Sequence, residues 1–242
     1  MDDTGRVGFF GKVPSHGDFV GRRLPAAFVG PWDGWLQAGL ADSRARLGAA
    51  WLPMYLSSPI WRFALGAGVC GASAWAGVMM PSVDRVGRYF PLTICASIDD
   101  DPASARFGWA AADACWYERL ETLALSALGP GFSLAAFDAA LAAMTPAGAG
   151  QTPSGQLTAA SISMPAHLAG GDVRRAPRTA SPAPLQVRFS SGAGAGQAAR
   201  LLRSRGLPDL ESFSDMVDNG AGAARARDGV AVIVNQRDTN DE

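Results

Sequence analysis

Between Trp61 and Ile98 the chain carries three apolar runs, WRFAL, WAGVMM and FPLTICASI, with only short turn-rich stretches between them. In the last run Phe90, Leu92, Ile94, Ala96 and Ile98 alternate with Pro91, Thr93, Cys95 and Ser97. That period of two places alternate side chains on opposite faces of a strand. Pro91 has no N–H for a ladder, so it belongs at a strand start or edge. Successive strands without a crossover helix can pair only antiparallel. This excludes a parallel βαβ architecture for the middle of the molecule.

The flanking segments complete the pattern. RVGFFGKV (residues 6–13) reads as a strand with Val7, Phe9 and Val13 on one face, and Phe19-Val20 as a second strand after a turn. A first helix is expected with Pro31 at its first helical position and Gly48 just past its end. Trp32, Trp35, Leu36, Leu40 and Leu47 supply its stripe, and Phe28 leads into it. A second helix is expected from Asp101-Pro102 through Trp109, Trp116, Leu120 and Leu123 to Gly129-Pro130-Gly131. A third follows Ser133 as N-cap, with Phe132 and Phe137 as a hydrophobic staple. The order β-β-α-β-β-β-α-α predicts an α+β fold, an antiparallel sheet of about five strands flanked by helices. The order is longin- or profilin-like, an analogy of fold that carries no function.

Beyond residue 145 the chain turns rich in Pro, Gly, Ala, Ser and Thr. Three regions follow: an α+β domain over 1–145, a linker over 146–184 and a small C-terminal α/β extension over 185–236 that packs on the first domain. Within the linker LTAASISM can form one strand. In the extension LQVRFSS and VAVIV read as strands, QAARLLRSRG and DLESFSDMV as short helices.

Composition removes several functions. The 242 residues carry a formal net charge of −1. There is thus no basic excess for nucleic acid or an anionic membrane. No apolar run reaches the ~18 residues of a membrane span. The acidic N-terminus is not a secretory signal, so a cytoplasmic protein is expected. Cys70, Cys95 and Cys115 are far apart and odd in number, as in a reducing compartment, and Cys95 and Cys115 sit in apolar patterns that suggest burial. With only His16 and His167 beside them, a metal site is not expected, and no cofactor is implied.

Three motifs invite chemistry. Gly5 and Gly11 bracket five residues rather than a P-loop's four, and Lys12 is followed by Val13 instead of Ser or Thr. Ser15, His16 and Asp18 are triad residue types, but three residues of one turn seldom aim at each other; a small hydrolase or nucleotide-binding enzyme at this hairpin is therefore the second reading. Asp99, Asp100 and Asp101 suit a solvated helix entry. No catalytic residue is assigned.

The most informative feature is an echo. VPSHGDFVGRRLP (residues 13–25) resembles MPSVDRVGRYFP (residues 80–91), each following an apolar run. Both read Pro-Ser, then Asp, then Val-Gly-Arg. In one reading Asp18 and Asp84 pair with Arg22, Arg85 or Arg88 and fix two hairpins. In the other the loops form a composite polar surface for a partner, with planar guanidinium heads. Lys12, Ser15, Asp18, Arg22, Ser82, Asp84, Arg85 and Arg88 are the candidate partner-binding or loop-structuring residues.

The blocks GFFGKVPSHGDFV, PWDGWLQAGL, SPIWRFAL and WAGVMMPSVDRVGRYFPL, in this order, resemble the TagF family of type VI secretion-associated proteins over about residues 7–145. GLPDLESFSDMV is similar to that family's ending, whereas VRFSSGAG stands where a Trp-rich strand is expected. The resemblance implies a cytoplasmic, post-translational repressor of type VI secretion assembly that binds a forkhead-associated-domain scaffold protein and is not an enzyme. Some members are fused to a phosphatase domain, for which this chain is too short. A structural subunit of the secretion apparatus is the third reading.

Overall fold

The structure, a computed structural model, describes residues 6–98, 114–145, 187–191, 200–218 and 231–234. The expected linker, the LTAASISM strand, the Asp99–Asp101 run and the Asp101–Asp113 start of the second helix lie outside the described residues.

Among the described residues eight strands form one sheet: β1 (Gly8–Gly11), β2 (Val20–Arg22), β3 (Trp61–Leu65), β4 (Ala74–Met80), β5 (Leu92–Ile98), β6 (Val187–Ser191), β7 (Arg200–Ser204) and β8 (Ala231–Val234). Their order is β2-β1-β5-β4-β3-β6-β7-β8, and every neighbouring pair is antiparallel. The α+β class agrees with the sequence pattern, with more strands than the five expected. The three apolar runs make a meander, with Leu65 opposite Trp75 and Met80 opposite Leu92. The C-terminal strands continue this sheet, since Phe63 of β3 faces Phe189 of β6.

Among the described residues five α-helices cover the two faces: α1 (Ala26–Leu47), α2 (Trp51–Ser57), α3 (Ala114–Ser126), α4 (Leu134–Ala142) and α5 (Leu210–Val217). On one face Phe28, Trp32 and Trp35 of α1, Tyr55 of α2 and Phe213 of α5 pack with Phe63, Trp75 and Phe189. On the other, Trp116 and Leu120 of α3 and Phe137 of α4 pack with Val7, Phe9, Val78 and Ile94. A buried side chain such as Phe63 contributes roughly 1.5–3 kcal/mol. The indole N–H of Trp32 donates to Thr93 Oγ1 at 2.9 Å, tying α1 to β5. Gly39 marks where α1 meets α5: a Cβ there would stand 2.4 Å from the Phe213 ring.

Three expectations are corrected. Helix α1 begins at Ala26, not at Pro31, and Pro25 is its N-cap. Phe28 lies one turn before Trp32 on the same buried stripe, so packing extends the helix through a proline that leaves the Ala27 carbonyl without its usual donor. The expected helix in QAARLLRSRG is strand β7 over its described residues, with Leu202 opposite Phe189; pairing beside β6 outweighs the helical propensity of Leu and Arg. Cys115 is exposed on α3, whereas Cys70 and Cys95 are buried. Burial pushes the Cys70 thiol up to about 12, and Cys95 also lies well above its usual value.

Other expectations match. α1 ends at Gly48, whose φ is +53°. Ser133 caps α4 by accepting from Ala136 N–H, and the Phe132 and Phe137 rings meet edge to face at 5.4 Å.

Candidate functional site

Strand β1 lies between β2 and β5, with Phe10 opposite Gly21 and Thr93. The chain leaving β1 at Gly11 therefore emerges beside the chain entering β5 at Leu92. This topology brings the two echoed segments together although they lie some seventy residues apart.

Asp84 is the hub. Its Oδ2 accepts from Lys12 Nζ at 2.7 Å and from Arg88 Nε at 2.6 Å. Its Oδ1 accepts from the backbone N–H groups of Val86 at 3.0 Å and Arg88 at 2.8 Å. The carboxylate is wholly buried, and the Lys12 side chain is 7% exposed. Burial pushes the Asp84 carboxyl up, but the hydrogen bonds from Lys12, from the Arg88 N–H and guanidinium and from Val86 outweigh it. They hold the group far below the usual carboxylate range.

Further bonds stitch the loops. Ser82 Oγ donates to the Lys12 carbonyl at 2.7 Å, and Arg85 N–H donates to the His16 carbonyl at 2.9 Å. Arg88 Nη2 donates to the Gly17 carbonyl. The Tyr55 hydroxyl donates to the Ser82 carbonyl at 2.9 Å and accepts from Ser82 N–H at 3.0 Å. Helix α2 is thereby pinned to the second loop, and the Trp51 and Tyr55 rings both lie 5.8 Å from Tyr89. Burial pushes the Tyr55 hydroxyl above its usual range, so it stays protonated and keeps its donor role.

The candidate residues thus divide. Lys12, Ser82, Asp84 and Arg88 converge in the clamp. Ser15 Oγ and His16 Nδ1 share a hydrogen bond of 2.8 Å, but Asp18 turns to its own loop and accepts from Phe19 N–H at 2.8 Å. The Ser-His-Asp relay is therefore not assembled. Arg22 Nη1 donates to the neighbouring Gly21 carbonyl, and Arg85 presents an exposed side chain beside Gly17. Tyr55 escaped the reading of the sequence; its only signal is the Trp51/Tyr55 spacing of one helical turn. Among the described residues no group of three His, Cys, Asp or Glu side chains comes together to hold a metal, and no helix is long and apolar enough to cross a membrane.

Fold and site define an α+β protein whose neighbouring strands deliver two loops locked into one surface by a buried ion cluster. The chain belongs to the TagF N-terminal domain family, type VI secretion system-associated, whose pattern matches residues 8–144 and so includes both loops. It is also similar to PA0076 from Pseudomonas aeruginosa PAO1, known from a crystal structure at 2.05 Å resolution. The two are 35% identical with a TM-score of 0.68, over 92% of this chain and 99% of that one. No match was found among curated proteins.

Proposed function

We propose that this protein is a cytoplasmic, post-translational repressor of type VI secretion assembly. It acts by binding a forkhead-associated-domain scaffold protein and lowering the scaffold's free concentration, without catalysis. The observation that carries this reading is the clamp on Asp84, in a chain of the type VI secretion-associated family. A carboxylate that accepts from Lys12 of the first segment and from three donors of its own loop makes a rigid surface, and a rigid surface loses little entropy when a partner docks. Arg85 and Arg88 stand at its rim with exposed side chains.

Co-purification with the forkhead-associated-domain protein of the same gene cluster tests the reading. Wild type is expected to retain the scaffold, and deletion of the gene to raise secretion while scaffold transcript stays constant. Failure of wild type to bind the scaffold overturns it. A fixed stoichiometry in the assembled apparatus favours a structural subunit instead.

A further inference from the structure

Seven large apolar side chains are exposed among the described residues, and four of them, Phe19, Leu52, Leu56 and Val86, lie on the two loops and α2. Val86, at 64%, is the most exposed of the seven. Leu52 and Leu56 sit one helical turn apart, and each is the chain neighbour of a residue, Trp51 or Tyr55, whose ring reaches the second loop. Phe19 stacks on Phe10 at 5.3 Å and meets Phe90 edge on at 4.9 Å, so its exposed ring is held in place. Exposed apolar groups that share elements tied together by Tyr55 and Tyr89 mark a contact site more than scattered ones do.

Charge narrows the partner. The clamp itself sums to +1, with Lys12 and Arg88 against Asp84. Outside it Arg22 and Arg85 are exposed, against the one exposed carboxylate of the two loops, Asp18. The chain as a whole carries −1, so this positive patch runs against the molecule's average. A membrane fits poorly. An anionic leaflet is recognised by clusters of about 4–8 Lys and Arg, and α2, of seven residues, carries no charge.

We propose that α2 and the two loops are one docking surface for an acidic protein face with an apolar depression. Val86, Leu52 and Leu56 fill the depression, and Arg85 and Arg88 meet carboxylates around it. This rests on the scaffold-binding reading and names the surface and chemistry that carry it. It adds α2, which the two loop motifs do not include.

The test is titration of the purified scaffold protein against wild type, Val86→Asp, Leu56→Asp and Arg85→Glu, with Leu125→Asp as control on α3, across the sheet. Each variant is checked by thermal unfolding. Val86→Asp and Leu56→Asp are expected to weaken binding about tenfold or more, as central apolar contacts do. Arg85→Glu is expected to weaken it about tenfold at low salt and to flatten its salt dependence. Leu125→Asp should bind as wild type. If wild type binds and the three folded surface variants bind equally well, the docking surface is overturned while the scaffold-binding reading stands. If wild type does not bind, the scaffold-binding reading falls and the docking surface with it. Retention of wild type on phosphatidylserine vesicles, lost in the same variants, also overturns the acidic-protein assignment.

Discussion

The two echoed loops share a sequence pattern and have opposite structures. In the first, Asp18 and Ser15 are exposed and Val20 is buried in strand β2. In the second, Asp84 and Ser82 are buried and Val86 stands out at the tip. Gly21 lies inside a strand, whereas Gly87 has a φ of +83°. The likeness is therefore not a repeated turn. It joins complementary halves: the first loop supplies the Lys12 ammonium and the carbonyls of Lys12, His16 and Gly17, and the second supplies the carboxylate, hydroxyl and N–H groups that meet them. Similar residues at similar spacing reached different environments because one segment continues into an edge strand and the other is a connection bridged by Val83 and Tyr89.

The largest difference should appear between the two aspartates. Asp84→Ala leaves the Lys12 ammonium buried without a carboxylate, and an uncompensated buried charge is among the most damaging changes a fold can suffer. It is expected to lower the urea midpoint more than any other substitution in either loop. Asp18→Ala is expected to stay within about 0.5 kcal/mol of wild type. Acid sharpens the contrast. The folded Asp84 carboxyl titrates below its unfolded value, so the stability it contributes is fully present above about pH 4 and is lost as pH falls toward the folded value. Wild type should then lose stability on acidification more steeply than Asp84→Asn. Equal acid profiles for the two would mean that Asp84 is not the hub.

Tyr55→Phe probes the anchor that only the second loop has. It removes the sole hydroxyl bonded to both polar groups of the Ser82 backbone. The Ser82 carbonyl keeps Phe90 N–H at 3.1 Å, but the buried Ser82 N–H loses its partner. The expected cost is about 2 kcal/mol by urea unfolding. A loss below about 0.5 kcal/mol would show that the loop does not depend on α2.

Much of this architecture was legible because it follows local rules. The alternation in β5, the Ser133 cap and the Gly48 stop each depend on residues within a few positions. What was misread or not anticipated depended on distant contacts. Arg-Leu-Leu-Arg has a helical composition and becomes β7 because β6 offers it a ladder. α2 carries Pro53 inside a seven-residue segment and takes its place from Trp51 and Tyr55 packing against distant residues. Pairing of Asp84 with an Arg of its own loop could be anticipated from four-residue spacing. Pairing with Lys12 could not, since it requires β1 to land beside β5 across a gap of three intervening strands in chain order.

The glycines give the smallest and most direct comparison of the loops. Both stand in the same Val-Gly-Arg context. At Gly87 nothing lies within 4 Å of an added Cβ, so Gly87→Ala has no steric conflict to confuse the result and its cost comes from the left-handed backbone alone. That cost is about 1–2 kcal/mol, and it also weakens the Gly87 N–H bond to the Asp84 carbonyl, now 3.0 Å long. At Gly21 the backbone is extended in β2, and an added Cβ would meet the Phe9 carbonyl at 3.4 Å, a tight but tolerable contact. Gly21→Ala gains from a less flexible unfolded chain and should lie within about 0.5 kcal/mol of wild type. Parallel thermal or urea unfolding decides between them. If the two substitutions cost the same, the loops share a backbone conformation after all, and their complementarity would have to rest on side chains alone.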